Sequence, residues 1–367
     1  MTDPNASVDV LNRLLGIEEG SALAALRAGR AAATTHTQGS YDALFGDNPA
    51  TPVTHSERFA AALRVSALHE EPVLIEHFAG RLRDSADGIR VEDVAASPPS
   101  AQLPRRLAAI LKHVDLLVLD PAAARPSDLQ ALVAAGLSVA EVVTVSQVVA
   151  FTSYFTRVAV ALALLRGDDR AAPACNLGPV SGRDEGFTQE QLDWKPWLPP
   201  FEAADATEEQ LAVLPGPRLA SPYFRLLALD PPVLRERTAT DNGIFYTEEG
   251  LPRAERELAA AVTSRVNGCI YCASVHSRAA SQLSGRTEDV QRVLDEGITA
   301  ELDERWRAVT DFAAALAVTP PAATQWHLER LREHGVEDLA ILDAAQASAF
   351  FGWANRLMLT LGEPILH

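Results

Sequence analysis

The amino-acid sequence predicts an all-α protein made of two tandem helical bundle domains. Alanine and leucine dominate the apolar residues, hydrophobic residues make up 47% of the chain, and aromatic residues only 6%, a balance that favours helices over sheets. Apolar residues recur at helical spacing, and the two halves of the chain match each other at a constant offset. The fold class and the internal duplication both follow from these observations.

The offset that aligns the two halves is 199 residues, and it needs no gap over about a hundred residues. It places His77 on His276 and Arg157 on Arg356, matches that are not expected by chance in an alanine-rich chain. Further pairs in the same register are Val91 and Val290, Pro121 and Pro320, Gly136 and Gly335, and Gln147 and Gln346. We therefore predict two copies of one helical domain.

A segment rich in glycine, proline and aspartate, residues 167–222, separates the two copies and has the composition of a linker. The predicted domains are residues 1–170 and 223–367, with a linker and irregular segment at 171–222 between them. In the second copy we predict helices over 255–266 and 272–283, a helix that begins at Thr287, and helices over 303–317 and 338–361.

The net charge of the chain and its apolar runs restrict which binding partners and which cellular compartment we predict. The formal net charge of −17 disfavours binding to nucleic acid and to anionic membrane surfaces. The amino terminus lacks the basic and apolar regions of a signal peptide. The most apolar stretch, 139–165, is interrupted by Glu141, Gln147 and Arg157, so we predict a buried helix and a cytoplasmic protein.

The residues that carry chemistry lie in the second copy, in the run Cys269-Ile-Tyr-Cys272-Ala-Ser-Val-His276. On a helix, Cys272 and His276 are four residues apart and share a face. Cys269 lies one turn earlier, near the predicted helix start after Asn267-Gly268, where the partial positive charge of a helix amino terminus favours a thiolate. The pattern predicts a redox-active cysteine pair with His276 as the base for Cys272.

Two further roles complete the hypothesis. Glu257 lies twelve residues before Cys269 on the preceding helix, where an antiparallel return would bring its carboxylate to His276 and orient the imidazole. The second cysteine would capture a sulfenic acid on the first as a disulfide. We assign the attack to Cys272 and the resolving role to Cys269, although the spacing also permits the reverse.

Other interpretations of the same residues remain open. A CxxC with a histidine is found in structural zinc sites, but a fourth ligand is missing from this half, so we predict no metal. Two inert buried cysteines are another possibility. Tyr271 is interpreted as a packing residue, and Cys175 as a linker residue without a role. His36, His55, His69 and His113 are expected to be surface histidines or satisfied core histidines.

From Glu257 through Cys269, Cys272 and His276, the sequence resembles the alkylhydroperoxidase D / carboxymuconolactone decarboxylase superfamily, and specifically its peroxidase-related branch. The late helix with Phe350, Asn355 and Arg356 resembles the same branch, and the similarity covers roughly residues 190–367. The amino-terminal segments Leu14-Leu-Gly-Ile, Leu26-Arg-Ala-Gly-Arg30 and Gln38-Gly-Ser-Tyr-Asp-Ala-Leu-Phe45 resemble a companion group of domains in the superfamily.

The resemblance implies an all-α fold, no cofactor, and reduction of organic hydroperoxides by the cysteine pair with Glu257 and His276 as a proton relay. It also implies an external dithiol as reductant and a homo-oligomer, either a trimer or a dimer. Two departures matter: Tyr271 stands where some members have a histidine, and the first copy has Arg58, Glu70 and Val73 at the positions of Glu257 and the two cysteines. Of these four positions, only that of His276 has the same residue in the first copy, His77, so we expect the first copy to be non-catalytic.

Two alternative functions are retained. One is a dithiol–disulfide oxidoreductase or a lyase of the carboxymuconolactone decarboxylase type. The other is a non-enzymatic oligomer that uses the disulfide as a redox switch or serves as a scaffold.

Overall fold

A computed structural model of the chain describes residues 9–46, 52–85, 88–170 and 185–366. Helices dominate, and the described strands form one small antiparallel sheet, which confirms the all-α class. In the first half the helices are α1 Val10–Leu15, α2 Ala22–Ala28, α3 Ala31–Phe45, α4 His55–Leu68, α5 Pro72–Arg83, α6 Val91–Ala95, α7 Arg105–Leu119, α8 Pro126–Ala134 and α9 Val139–Arg166.

The second half contains nine more helices among the described residues and both strands of the sheet. The helices are α10 Glu208–Val213, α11 Pro222–Leu227, α12 Pro231–Phe245, α13 Arg253–Val266, α14 Ile270–Ser284, α15 Thr287–Glu296, α16 Glu304–Ala317, α17 Gln325–Glu333 and α18 Asp338–Thr360. Strand β1, Asp193–Pro196, pairs antiparallel with β2, Gly362–Ile365. The helices predicted in this half are present as α13, α14, α15, α16 and α18.

Local signals place the ends of these helices. Asp303 caps α16, because its carboxylate accepts hydrogen bonds from the backbone N–H groups of Arg305 and Trp306. Helix α9 begins with a capping box formed by Ser138 and Glu141. Gly268 has a φ of +73°, a left-handed conformation that glycine adopts without strain, and this residue makes the tight turn between α13 and α14.

Helices of the two halves recur at the offset found in the sequence. Subtracting 199 from the first residues of α16, α17 and α18 returns the first residues of α7, α8 and α9, and α12, α13 and α14 begin within one residue of the corresponding α3, α4 and α5. The two halves therefore have the same order of helices. A duplication as the origin of this order, and the predicted domain boundaries, remain predictions.

The two halves share one hydrophobic core rather than two separate ones. Helix α9 packs along α18, and α3 packs along α12, so the equivalent helices of the two halves meet each other. At the centre, the Trp353 indole N–H donates to the Gln147 side chain at 2.8 Å, and the rings of Phe151 and Trp353 lie 5.2 Å apart. The halves therefore stabilise each other through buried contacts.

Helix α9 is long and apolar enough, by length and composition alone, to cross a membrane. Its most apolar window is 94% buried inside the protein, against α18 and neighbouring helices. This is the packing of a core helix, as the sequence predicted for this stretch.

Candidate active site

The cysteine pair lies at the start of α14. Cys269 is the residue immediately before the helix, its backbone N–H donates to the Ser264 carbonyl oxygen at 2.8 Å, and Cys272 lies in the first turn. Both thiols are free and buried, with Cys269 only 1% and Cys272 5% exposed. The two thiols therefore lie at a helix amino terminus in a buried environment.

Glu257 and His276 form the second part of the site. The Glu257 carboxylate is buried and contacts the His276 ring at Nδ1, with 2.5 Å between the two atoms. The other carboxylate oxygen accepts a hydrogen bond from Arg253 Nε at 2.6 Å. Burial acts to raise the pKa of Glu257, but His276 and Arg253 outweigh it and lower the pKa overall, so the carboxylate stays ionised.

The Glu257 contact has a consequence for the histidine. Because Nδ1 is occupied by the carboxylate, Nε2 is the ring nitrogen that remains for proton exchange in the pocket. The ring is also held by Phe351, whose centroid lies 4.0 Å from that of His276 in an edge-on arrangement. The imidazole therefore has a fixed orientation, with 19% of its side chain exposed.

Burial, followed by the neighbouring Cys269, raises the pKa of the Cys272 thiol well above its ordinary value. Asn355 and the positive charge of Arg237 act in the opposite direction. The amide of Asn355 is held in place because it donates to Ser264 Oγ at 3.0 Å and accepts from the Asn267 amide at 2.9 Å. Cys272 therefore needs a base to become a nucleophile at neutral pH.

Cys272 and His276 line the same pocket, which has a volume of about 960 Å³ and a size typical of small-molecule sites. Much of its wall is apolar, and the residues that contribute large apolar surfaces are Trp194, Phe224, Phe350, Phe351, Val275 and Met358. The segment predicted as a linker supplies one side of this wall through Trp194 and Pro217. The Trp194 indole donates to the Met358 carbonyl oxygen at 3.1 Å, which attaches this segment to α18.

Two polar residues of the pocket were missed from the sequence. Arg237 and Asp241 lie four residues apart on α12, a helix that was not predicted, and both face the pocket. The i, i+4 spacing was visible, but the same spacing is common on solvated helix faces. Only the packing of α12 against α3 and α18 distinguishes the two cases.

The corresponding positions of the first half have a different arrangement. Arg58, at the position of Glu257, donates to the backbone carbonyl oxygens of Val53 and Leu44 at 2.9 and 2.8 Å. His77, at the position of His276, contacts the Tyr41 hydroxyl at 2.7 Å. Arg58 therefore holds the backbone, His77 is half-buried, and Glu70 and Val73 stand at the positions of the two cysteines.

The remaining sequence assignments have the following outcomes. His36 contacts Glu236 at 2.8 Å, His55 the Gly46 carbonyl and His69 the Val65 carbonyl, in agreement with satisfied side chains. His113 contacts the Ser146 hydroxyl at 2.9 Å through Nε2, but its buried Nδ1 has no hydrogen-bond partner among the described residues, so this side chain is only partly satisfied. Tyr271 lines the pocket in addition to packing on the core. Cys175 lies outside the described residues. Among the described residues, no group of three or more histidine, cysteine, aspartate or glutamate side chains is arranged to hold a metal ion.

The fold and the site define an all-α protein with a paired-thiol centre beside a buried carboxylate–imidazole pair. The family model of the carboxymuconolactone decarboxylase family matches residues 231–315, which include α12, α13, α14 and the thiol pair. No curated protein matches the chain significantly.

The solved structures that are similar to the chain include two peroxidase-related proteins. One is an uncharacterized peroxidase-related protein from Silicibacter sp. TM1040, with 32% identity, 38% of this chain and 74% of that chain covered, and a TM-score of 0.35. The other, described as an alkylhydroperoxidase AhpD core and an uncharacterized peroxidase-related protein, is from Ralstonia eutropha JMP134. It shows 27% identity, covers 43% of this chain and 86% of that chain, and has a TM-score of 0.39. By the family match, residues 231–315, which hold the thiol pair, belong to the carboxymuconolactone decarboxylase family.

Proposed function

We propose that this protein is a thiol-dependent peroxidase that reduces organic hydroperoxides through Cys269 and Cys272. The observation that carries the proposal is His276, which is hydrogen-bonded to Glu257 and lines the same pocket as Cys272. A buried thiol with a raised pKa has little thiolate at neutral pH, and a fixed imidazole with a carboxylate behind it is the group that can remove its proton.

The first step is the attack on the peroxide. His276 accepts the Cys272 thiol proton at Nε2, and the buried Glu257 carboxylate stabilises the resulting positive charge. The thiolate sulfur then bonds to the terminal oxygen of the hydroperoxide, the O–O bond breaks, and the alkoxide takes the proton back from His276 and leaves as an alcohol. Cys272 is oxidised to a sulfenic acid, and the hydroperoxide is reduced by two electrons.

The second and third steps return the enzyme to its starting state. The Cys269 thiol gives up its proton and its sulfur bonds to the Cys272 sulfur, the S–O bond breaks, and the departing hydroxide takes up that proton to become water, which leaves a disulfide. An external dithiol then supplies two electrons and two protons and is itself oxidised to a disulfide. A location in the cytoplasm, where such dithiols are kept reduced, and a homo-oligomeric state belong to the same proposal.

The test is consumption of an organic hydroperoxide by pre-reduced protein with dihydrolipoamide as the dithiol. We expect turnover in the wild type, none in Cys272→Ser, and unchanged turnover in Cys175→Ser, which removes the cysteine outside the motif. Without the dithiol, Cys269→Ser should react with one equivalent of hydroperoxide and stop as a sulfenic acid. An inactive wild type with reactive thiols would contradict the proposal and leave disulfide exchange, a lyase activity or a redox switch as the function.

A further inference from the structure

The pocket beside Cys272 contains an arginine whose charge no acidic side chain balances directly. Arg237 is 5% exposed, and it forms no ion pair within the described residues. Its guanidinium lies over the rings of Phe350 and Trp353, at 5.0 and 5.6 Å from their centroids, and one terminal nitrogen contacts the Tyr223 hydroxyl at 3.4 Å. Its Nε atom is buried without a hydrogen-bond partner.

A buried guanidinium is unfavourable unless it is paired, and buried arginines are normally satisfied by carboxylates, phosphates or carbonyl groups. Arg237 instead stacks on two aromatic rings and keeps part of its donor capacity unused. Because it lines the pocket, a ligand in the pocket can supply the missing acceptor. The position of Arg237 therefore indicates where an anionic group of the ligand binds.

The other residues of the pocket indicate the chemistry of the rest of the ligand. The volume of about 960 Å³ is far larger than hydrogen peroxide needs, and the wall around Cys272 is formed largely by aromatic and aliphatic side chains. An apolar wall with one buried cation matches a molecule with an apolar body and a single anionic group. The hydroperoxide has to reach Cys272, while the anionic group lies at Arg237.

Two aspartates line the pocket: Asp193 lies on β1, whereas Asp241 lies one turn from Arg237 on the same helix. Asp241 forms no hydrogen bond or ion pair within the described part of the chain, and burial raises its pKa, against the effects of Arg237, His276 and Arg218. A raised pKa reduces the repulsion between Asp241 and an anionic ligand, and the protonated carboxyl group can donate a hydrogen bond to it.

We propose that the pocket selects organic hydroperoxides that carry a carboxylate on an apolar body, such as fatty-acid hydroperoxides, and that Arg237 binds this carboxylate. The substrate assignment rests on the peroxidase activity proposed above. Arg237 is then a specificity-determining residue, whereas Cys272, His276 and Glu257 carry out the reaction on any hydroperoxide that fits.

The experiment compares a fatty-acid hydroperoxide with its methyl ester, which has the same body without the charge. We expect the wild type to have a kcat/KM at least about tenfold higher for the acid, the range for a hydrogen bond to a charged group. Arg237→Met should reduce the ratio of the two kcat/KM values to about one, and Arg237→Lys, which keeps the charge, should restore part of it. Arg235→Met, at an exposed arginine on the same helix, is the matched control and should keep the wild-type ratio.

A general structural defect would lower both kcat/KM values and leave their ratio intact, so the ratio isolates the charge. Equal kcat/KM values for acid and ester in the wild type would overturn the assignment of Arg237 while the peroxidase function stands. If neither compound is turned over, the peroxidase proposal fails. Binding of the corresponding hydroxy fatty acid and its methyl ester then decides: loss of the acid preference in Arg237→Met supports the site, and equal binding of both compounds overturns it.

Discussion

Arg157 and Arg356, which the 199-residue offset pairs with each other, each bind the carboxyl end of a helix in the opposite half of the protein. Arg157, on α9, donates to the carbonyl oxygens of Ala317 and Val318 at the end of α16, at 2.6 and 3.1 Å. Arg356, on α18, donates to the Val118 carbonyl oxygen near the end of α7 at 3.3 Å. Both guanidinium groups are buried, and the partial negative charge of a helix carboxyl terminus stabilises them.

This reciprocal arrangement predicts that Arg157→Met destabilises the whole chain. The substitution removes the donor from several buried acceptors, including His69 Nε2 at 2.8 Å, and unsatisfied buried polar groups each cost about 1–3 kcal/mol. We expect the free energy of unfolding in urea to fall by about 3 kcal/mol or more. Arg90→Met, at an exposed arginine, should change it by less than about 0.5 kcal/mol. A small loss in Arg157→Met would show that this contact does not hold the halves together.

The substitution Glu257→Gln tests whether Glu257 and His276 act as a proton relay. The amide keeps the size of the side chain but lacks the charge that stabilises a protonated His276, so we expect kcat/KM for hydroperoxide to fall by about a hundredfold or more. Glu255→Gln is a matched control, since Glu255 lies on the same helix, is also buried, and also binds an arginine, with Arg305 Nε 2.8 Å away. Equal losses of activity in the two variants would mean that Glu257 acts only through stability.

The thiol chemistry predicts a pH dependence for Cys272. Its pKa is raised, so the protonated thiol persists at pH values where an ordinary cysteine is already ionised, and alkylation by iodoacetamide should keep increasing above pH ~8.5. Cys269 is one cause of the raised pKa, so Cys269→Ser should shift the alkylation profile of Cys272 toward lower pH. The rates are measured by mass spectrometry of the peptide that contains Cys272. A profile that is unchanged by Cys269→Ser would contradict the coupling of the two thiols.

A buried histidine in the first half predicts a loss of stability in acid. Burial lowers the pKa of His113 from 6.5 to about 4, so the folded state holds the neutral ring. Its contribution is fully present above pH ~6.5 and is lost as the pH falls toward about 4, because the unfolded chain binds the proton first. The shift corresponds to up to about 3 kcal/mol.

His113→Gln removes this titration and should flatten the decrease in the free energy of unfolding between pH ~6.5 and about 4. Denaturant unfolding at a series of pH values measures the slope, with His55→Gln, at an exposed histidine, as the control. An identical slope in wild type and His113→Gln would show that His113 is not a source of the acid sensitivity.

Much of the helical fold could be predicted from the sequence because the signals are local. The start of α15 at Thr287, the cap of α16 at Asp303 and the glycine turn at Gly268 depend on residues within a few positions of each other. Helix α12 was missed because its exposed and buried positions do not form a clear apolar stripe. The short β1–β2 pair was missed because its strands lie more than 160 residues apart.

The sequence by itself determined the class of the fold and the repeated order of helices, and it predicted Cys269, Cys272 and His276 as one centre, because helical periodicity and short spacings are properties of neighbouring residues. The contact of Glu257 with His276 depends on the packing of α13 against α14. Only the tertiary structure decided what surrounds that centre. The placement of Arg237 beside Cys272, and the use of the segment around Trp194 as a pocket wall, result from packing between distant parts of the chain. Such contacts depend on how helices fit together in space, and no local pattern in the sequence encodes them.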